Sequence, residues 1–416
     1  MTLPLAAVQE TTSLDTRTPQ NAPCNYRLAR RMYGMSVSAV REILKVTERP
    51  EIISFAGGMP APELFPIEAI AEAHMQVFAE EGPQAMQYST TEGLRSLRQW
   101  IASRVAERGI HTDADRVMIT TGSQQAIDLV AKIFIDPGDE VIVENPCYLA
   151  ALQSFSGFEA RFVPVESDDD GMRVDQVEAA IMRSRPKLIY VVSEFSNPKG
   201  TSLSAERREH LVELARRYGV PILEDDPYSE LRYMGTRPLP LAAYDKEGWV
   251  IRASTFSKTL SPGIRVGWVT AANEIIQQLV IAKQAADLHT CTVEQRAVAR
   301  MLETFDYDGH IANLCRVYGE RCLTMRRAIE AHFPAGTKWT RPEGGLFLWV
   351  ELPERVRARE VFEDAVKEKV AFVTGDAFFA NERRQNFIRL NFSNQQPEMI
   401  EEGIRRIAKI LQRRIS

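Results

Sequence analysis

Thr255-Phe256-Ser257-Lys258-Thr259-Leu260-Ser261-Pro262-Gly263-Ile264-Arg265-Val266-Gly267-Trp268 places one lysine among small hydroxyl residues, seven positions before an arginine. It follows the β-like run Trp249-Val250-Ile251-Arg252-Ala253. A lysine held at a strand end can form a Schiff base with an aldehyde, and the hydroxyls and guanidinium can hold a phosphate beside it. Pyridoxal phosphate needs that combination, because the cofactor brings the electron sink and the protein brings binding, orientation and electrostatics. A surface lysine in a Ser/Thr-rich turn is the plain alternative. The stretch therefore takes its weight from the segments around it.

Those segments alternate. Arg116-Val117-Met118-Ile119-Thr120-Thr121 reads as a strand and Ser123 to Phe134 as a helix. Glu140 to Glu144, Ala160 to Val165, Leu188 to Val192 and Pro221 to Glu224 are further short, nearly all-apolar strands, with helices over Val174 to Arg183 and Ala205 to Tyr218. Such alternation predicts an α/β fold, a mostly parallel sheet flanked by helices on both faces. Beyond about Thr304 the texture changes to a long helical run, Asp308 to His332, then strands at Gly345 to Val350 and Phe387 to Phe392, and a last helix over Pro397 to Arg413. This predicts a smaller α+β domain. The expected organisation is a mobile lead-in (1–25), an N-terminal arm packing with the small domain (26–60, with a helix over Arg27 to Thr47), a large cofactor-binding domain (61–304) and the small domain (305–416).

Bulk properties narrow the class. A chain of 416 residues exceeds what one compact core spans. Its 44% hydrophobic and 26% charged content is that of an ordinary globular protein. A net charge of -5 gives no reason to expect nucleic acid or an anionic membrane as partner, and no apolar run reaches the ~20 residues of a membrane helix. Met1 to Asn25 has no basic leader, so no secretory signal is expected. Five cysteines without a Cys-x-x-Cys pair read as reduced thiols in the cytoplasm, and the six histidines show no ligand spacing, so no metal is expected.

The candidate site residues fall at strand ends, where open α/β sheets bind ligands. Thr121-Gly122-Ser123-Gln124-Gln125-Ala126 offers a glycine turn and the free N–H groups of a helix N-terminus to an anion. In Glu224-Asp225-Asp226-Pro227-Tyr228 a carboxylate could pair with a protonated pyridine nitrogen, or simply serve a turn. Asn197, held before Pro198, can present its amide to a phenolic oxygen. Tyr148 can cover a flat heteroaromatic or pack in the core. Arg389 interrupts an apolar strand and needs an anionic partner, either a substrate carboxylate or a structural Asp or Glu.

Taken together, these residues resemble the class I/II aminotransferases of the fold-type I pyridoxal-phosphate enzymes, and within them the branch with 2-aminoadipate, kynurenine and broad-specificity aromatic or branched-chain aminotransferases. The likeness runs from about Ile53 to the C-terminus. It includes Ile53-Ser54-Phe55-Ala56-Gly57-Gly58-Met59-Pro60, Gln87-Tyr88-Ser89-Thr90-Thr91-Glu92-Gly93 and Gly344-Gly345-Leu346-Phe347-Leu348-Trp349 besides the motifs above. The resemblance implies that Lys258 carries the cofactor and later acts as general base. It implies that Asp225 pairs with the pyridine nitrogen, Asn197 and Tyr228 contact the phenolic oxygen, and Tyr148 stacks on the ring. Ser123, Gln124, Thr255, Ser257 and Arg265 would hold the phosphate, with Tyr88 reaching in from the other subunit of a homodimer. Arg389 would bind the substrate α-carboxylate near Asn197 and the Gly58 backbone.

Two departures stand out: Lys199 occupies a loop position where relatives carry a small or neutral residue, and Thr255 stands where serine is frequent. The implied reaction is ping-pong transamination between an L-amino acid and a 2-oxo acid, with 2-oxoglutarate and glutamate as one pair. A lyase or decarboxylase on the same fold, and the non-catalytic sensor domain of a transcription regulator, are the rivals. The donor's identity is open: Tyr26, Arg27 and Tyr33 are candidates for the side-chain pocket, with Arg27 either meeting an acidic side chain or standing as a solvated helix charge.

Overall fold

The computed structural model describes residues 26–35, 49 and 51–415. The expected lead-in, Cys24 and most of the helix expected over Arg27 to Thr47 lie outside them; Arg31–Gly34 is a single helical turn.

The strands, in chain order, are β1 Ile53–Ser54, β2 Val117–Thr120, β3 Glu140–Asn145, β4 Arg161–Asp168, β5 Gly171–Met172, β6 Leu188–Val191, β7 Ile222–Asp225, β8 Val250–Thr255, β9 Gly267–Thr270, β10 Lys338–Trp339, β11 Phe347–Glu351, β12 Val370–Ala371, β13 Val373–Thr374 and β14 Phe387–Asn391. Eight of them form one sheet in the order β2-β9-β8-β7-β6-β3-β4-β5. The pairs from β8 through β7, β6 and β3 to β4 are all parallel. Every residue of β6, β7 and β8 is buried, as a sheet covered on both faces requires. A fully buried Val, Leu or Ile on these strands contributes roughly 1.5–3 kcal/mol relative to exposure.

Two strands run against the parallel pattern: β5 pairs antiparallel with β4 at one edge, and β9 reverses beside the site. Gly267–Thr270 doubles back and lies antiparallel between β8 and β2. The chain can turn so sharply because Arg265 adopts the left-handed conformation at φ 51°. The consequence is functional: the loop carrying Lys258 is pinned at both ends into neighbouring strands.

Helices cover the sheet. Gly122–Phe134 turns Ala126, Ile127, Leu129, Val130 and Ala131 inward. Ala205–Tyr218 begins where the Ser204 hydroxyl accepts the Arg207 N–H and ends at Gly219, left-handed at φ 66°. The second unit is the antiparallel sheet β10-β11-β14-β13, flanked by Tyr307–His332, Ala358–Lys367 and Pro397–Ile415. The segment before the large sheet returns here, because β1 pairs in parallel with β12 and Asn391 donates its backbone N–H to Phe55 O. That return brings Gly58 to Lys258, in the turn after β8, and Ala56 to Arg389 on β14.

Candidate active site

The C-terminal ends of β3, β6, β7 and β8 open into a cavity of about 330 Å³. Ser123, Gln124, Tyr148, Asn197, Asp225, Tyr228, Thr255, Ser257, Lys258, Arg265, Arg389 and Gly58 all line it. The structure thus brings together every candidate for cofactor and α-carboxylate binding except Tyr88, whose side chain lies on the surface with its ring edge-on to His289 at 5.9 Å.

Lys258 sits in the turn after β8, and its ammonium donates to Gly58 O at 2.9 Å. Burial, with Arg265 and Arg389 nearby, brings its pKa down to about 8. A lysine so placed is partly neutral near physiological pH and able to act as nucleophile or base.

Beside it the acidic triplet divides its labour. Glu224 turns away and accepts from the Ser193 hydroxyl and the Leu241 and Ala242 N–H groups. Asp226 is paired with Arg252 at 2.5 Å, an interaction that outweighs burial and takes its pKa down to about 2. Asp225 alone remains for the cavity. One of its oxygens accepts the Tyr190 hydroxyl at 2.7 Å, while Oδ1 is buried without a partner. Burial pushes this carboxyl up to about 7. An orphaned buried carboxylate oxygen is costly unless something cationic meets it.

At the other end lies an anion cup. The Thr255 and Ser257 hydroxyls are 2.9 Å apart, and Arg265 donates to Ser257 Oγ at 3.4 Å and to Thr121 O at 3.2 Å. Ser123 and Gln124 add the first turn of the helix Gly122–Phe134. Gly122 is obligatory here: its φ is 74°, and a Cβ would stand 2.5 Å from Arg265 Nη2. Thr255, where serine is frequent, keeps the hydroxyl, and that hydroxyl stands in the cup beside Ser257.

Arg389 is buried between the Phe347 and Phe378 rings, 4.3 and 5.2 Å from their centroids. It donates to Asn197 Oδ1 at 2.7 Å and to Ala56 O at 2.6 Å, and its Nε has no partner. Among the described residues no Asp or Glu pairs with it, so its charge is available to a ligand. Burial brings its pKa down to about 10, still well above neutrality. Asn197 and Tyr228, the two candidates for the phenolic oxygen, line the same cavity.

Some features were not read from the sequence. Tyr190, the partner of Asp225, stood in an apolar strand, and a tyrosine among aliphatics was the available signal. Phe378 and Ala56 were likewise missed. Lys199, the unusual loop residue, points away from the cavity: it donates to Ser167 O and Asp168 O, each at 2.8 Å. Tyr26, Arg27 and Tyr33 are exposed and do not line the cavity. Among the described residues there is no metal-binding cluster.

A lysine near its neutral form, an orphaned carboxylate, an aromatic wall and an anion cup in one cavity fit pyridoxal 5'-phosphate, with its aldehyde, ring nitrogen, ring face and phosphate respectively. The relatives agree. The aromatic-amino-acid aminotransferase 1 of Thermococcus litoralis is 44% identical over 91% of this chain and 92% of its own. The 2-aminoadipate transaminase of Thermus thermophilus is 41% identical over 91% and 94%. A crystal structure of Pyrococcus horikoshii kynurenine aminotransferase in complex with PMP superposes with a TM-score of 0.90 at 40% identity, covering 94% of this chain and 98% of that one. The family described as aminotransferase class I and II matches residues 50–407. This chain belongs to that family and is a pyridoxal 5'-phosphate-dependent aminotransferase of fold type I.

Proposed function

We propose that the enzyme moves the α-amino group of an aromatic or large apolar L-amino acid to 2-oxoglutarate by a ping-pong mechanism, as a cytoplasmic homodimer. When bound, pyridoxal 5'-phosphate supplies the electron sink for negative charge developing at the donor's Cα. The chain supplies everything else. Arg389 grips the α-carboxylate in a fork, with Asn197 and the Gly58 backbone beside it. Lys258 would take the Cα proton and hold it on Nζ for return; its pKa of about 8 suits both directions near neutrality. Asp225 keeps the ring nitrogen protonated, with Tyr190 fixing the carboxylate. Tyr228 and Asn197 meet the phenolic oxygen, and Tyr148 covers the ring. Ser123, Gln124, Thr255, Ser257 and Arg265 hold the phosphate, joined by Tyr88 of the second subunit. With one Arg389 and one Lys258 per cavity, donor and acceptor must use the site in turn, which is what ping-pong kinetics require.

The carrying observation for the donor class is the composition of the walls. The cations lining the cavity are Lys258, Arg265 and Arg389, and each has a place already. The apolar part of the lining includes Met59, Leu149, Ala150, Phe347 and Phe378. Among the described residues, a side chain buried there gains from apolar contact and an acidic one meets no further cation. The name of the 44%-identical relative supports the same class. The unpaired Cys147, Cys291, Cys315 and Cys322 support a reducing compartment.

The test is the visible spectrum of the holoenzyme against single L-amino acids. Aromatic donors should bleach the absorption fastest, and 2-oxoglutarate should restore it. A spectrum that responds to acidic donors alone would sink the proposed donor class.

A further inference from the structure

Behind the anion cup, on the side away from the cavity, lies a charged cluster to which no role has been assigned. Lys283, near the end of the helix Asn273–Gln284, is fully buried. Its ammonium donates to Asp287 Oδ1 at 2.7 Å and to Gln125 Oε1 at 2.9 Å. Gln125 Nε2 donates to Asp287 Oδ2 at 2.7 Å, closing a three-membered ring of hydrogen bonds. Gln125 Oε1 also accepts the backbone N–H of Thr121 at 2.8 Å, and the Thr121 hydroxyl reaches Asp287 Oδ2 at 3.3 Å. Thr121 O is in turn the acceptor that orients Arg265.

A buried lysine is retained at a cost unless it is fully paired. An ordinary packing position on this helix would be filled as well by leucine or methionine. What the ammonium secures here is one peptide: the Thr121–Gly122 unit, with the cup's helix turn on one side and Arg265 on the other. We propose that Lys283, Asp287 and Gln125 are positioning residues for the cofactor's phosphate, a brace that fixes the Thr121 peptide so that the helix N-terminus and Arg265 converge on one point. The inference rests on the reading of Ser123, Gln124, Thr255, Ser257 and Arg265 as the phosphate cup.

A brace for the phosphate predicts a loss specific to that group. Apoenzymes of wild type, Gln125→Leu and Lys283→Met are titrated with pyridoxal 5'-phosphate and, separately, with pyridoxal, which lacks the phosphate; binding is read from absorbance and protein fluorescence. Gln125→Leu cuts the link to Thr121 while leaving the Lys283–Asp287 pair intact, so it decides the matter even where Lys283→Met does not fold. The expected result is an affinity for pyridoxal 5'-phosphate about tenfold weaker or more in the variants, with pyridoxal affinity unchanged. Inorganic phosphate should also compete less well for the variant sites. Equal losses for both ligands would mean a merely structural role and overturn the brace, as would no loss for either. Wild-type protein that binds the phosphorylated and unphosphorylated forms equally would overturn the phosphate cup itself, and the brace with it.

Discussion

Replacing Asp225 by asparagine should stabilise the apoenzyme and weaken the holoenzyme, and the first effect can be worked from the structure. The carboxyl is buried, with its pKa raised from 3.8 to about 7. For an acid whose folded-state pKa is raised, the stabilising contribution is present below the unfolded value of 3.8 and is lost as pH rises through about 7. At 1.36 kcal/mol per unit, this carboxyl costs the fold about 4 kcal/mol at pH 8, where it is ionised, and about 2 kcal/mol at pH 5, where it is held protonated. Asparagine removes that cost. It keeps an oxygen to accept the Tyr190 hydroxyl but buries an amide with no partner, which returns about 1–3 kcal/mol. The net gain is about 2 kcal/mol at pH 8 and near zero or negative at pH 5, or a few degrees in melting temperature at the higher pH.

The assay is calorimetry of cofactor-free wild type and Asp225→Asn across pH 5 to 8, repeated with saturating cofactor. With cofactor bound, the ring nitrogen supplies the missing cation, so wild type should regain the advantage while the variant gains little from ligand. A variant apoenzyme less stable than wild type at pH 8 would refute the reasoning. So would a difference that does not shrink on acidification.

Other outcomes follow from the same geometry. Lys258→Ala should abolish turnover while the protein remains folded, and a near-normal rate would remove the lysine from the mechanism. Arg389→Met should lower kcat/KM by about 10²–10³, because two charge-assisted hydrogen bonds to the carboxylate are worth about 3–4 kcal/mol together; an effect under tenfold would place the carboxylate elsewhere. Tyr190→Phe should slow the single-turnover loss of the Cα proton about tenfold by withdrawing one hydrogen bond to a charged group, and an unchanged rate with deuterated donor as control would contradict its link to Asp225. Mixing Tyr88→Ala with Lys258→Ala subunits should restore up to about one quarter of wild-type activity if Tyr88 serves the neighbouring site; no recovery would place it in its own.

The sequence was readable where function and local structure share a few consecutive residues. A strand end followed by a glycine turn carries both its fold signal and its chemistry within six positions, as at Thr121 to Ala126 and at Glu224 to Tyr228. That is why the sheet, the lysine and the cup could all be named from the chain. What escaped depends on juxtapositions that no local pattern records. Tyr190 and Asp225 lie 35 positions apart on adjacent strands, and Gln125 and Lys283 lie 158 apart. Gly267–Thr270 offered four residues of strand signal and no indication of direction, yet its antiparallel return is what ties down the Lys258 loop. Lys199 shows the limit from the other side: it stood out as an unusual charge near the candidate Asn197, and its ammonium is held by the backbone carbonyls of Ser167 and Asp168. A charged residue near a site gains meaning only when its partners are known. By the same reasoning Lys283, whose segment Lys283 to Thr290 resembles a family segment near the site without a readable chemical role, becomes the more informative lysine once its hydrogen bonds to Gln125 and Asp287 are known.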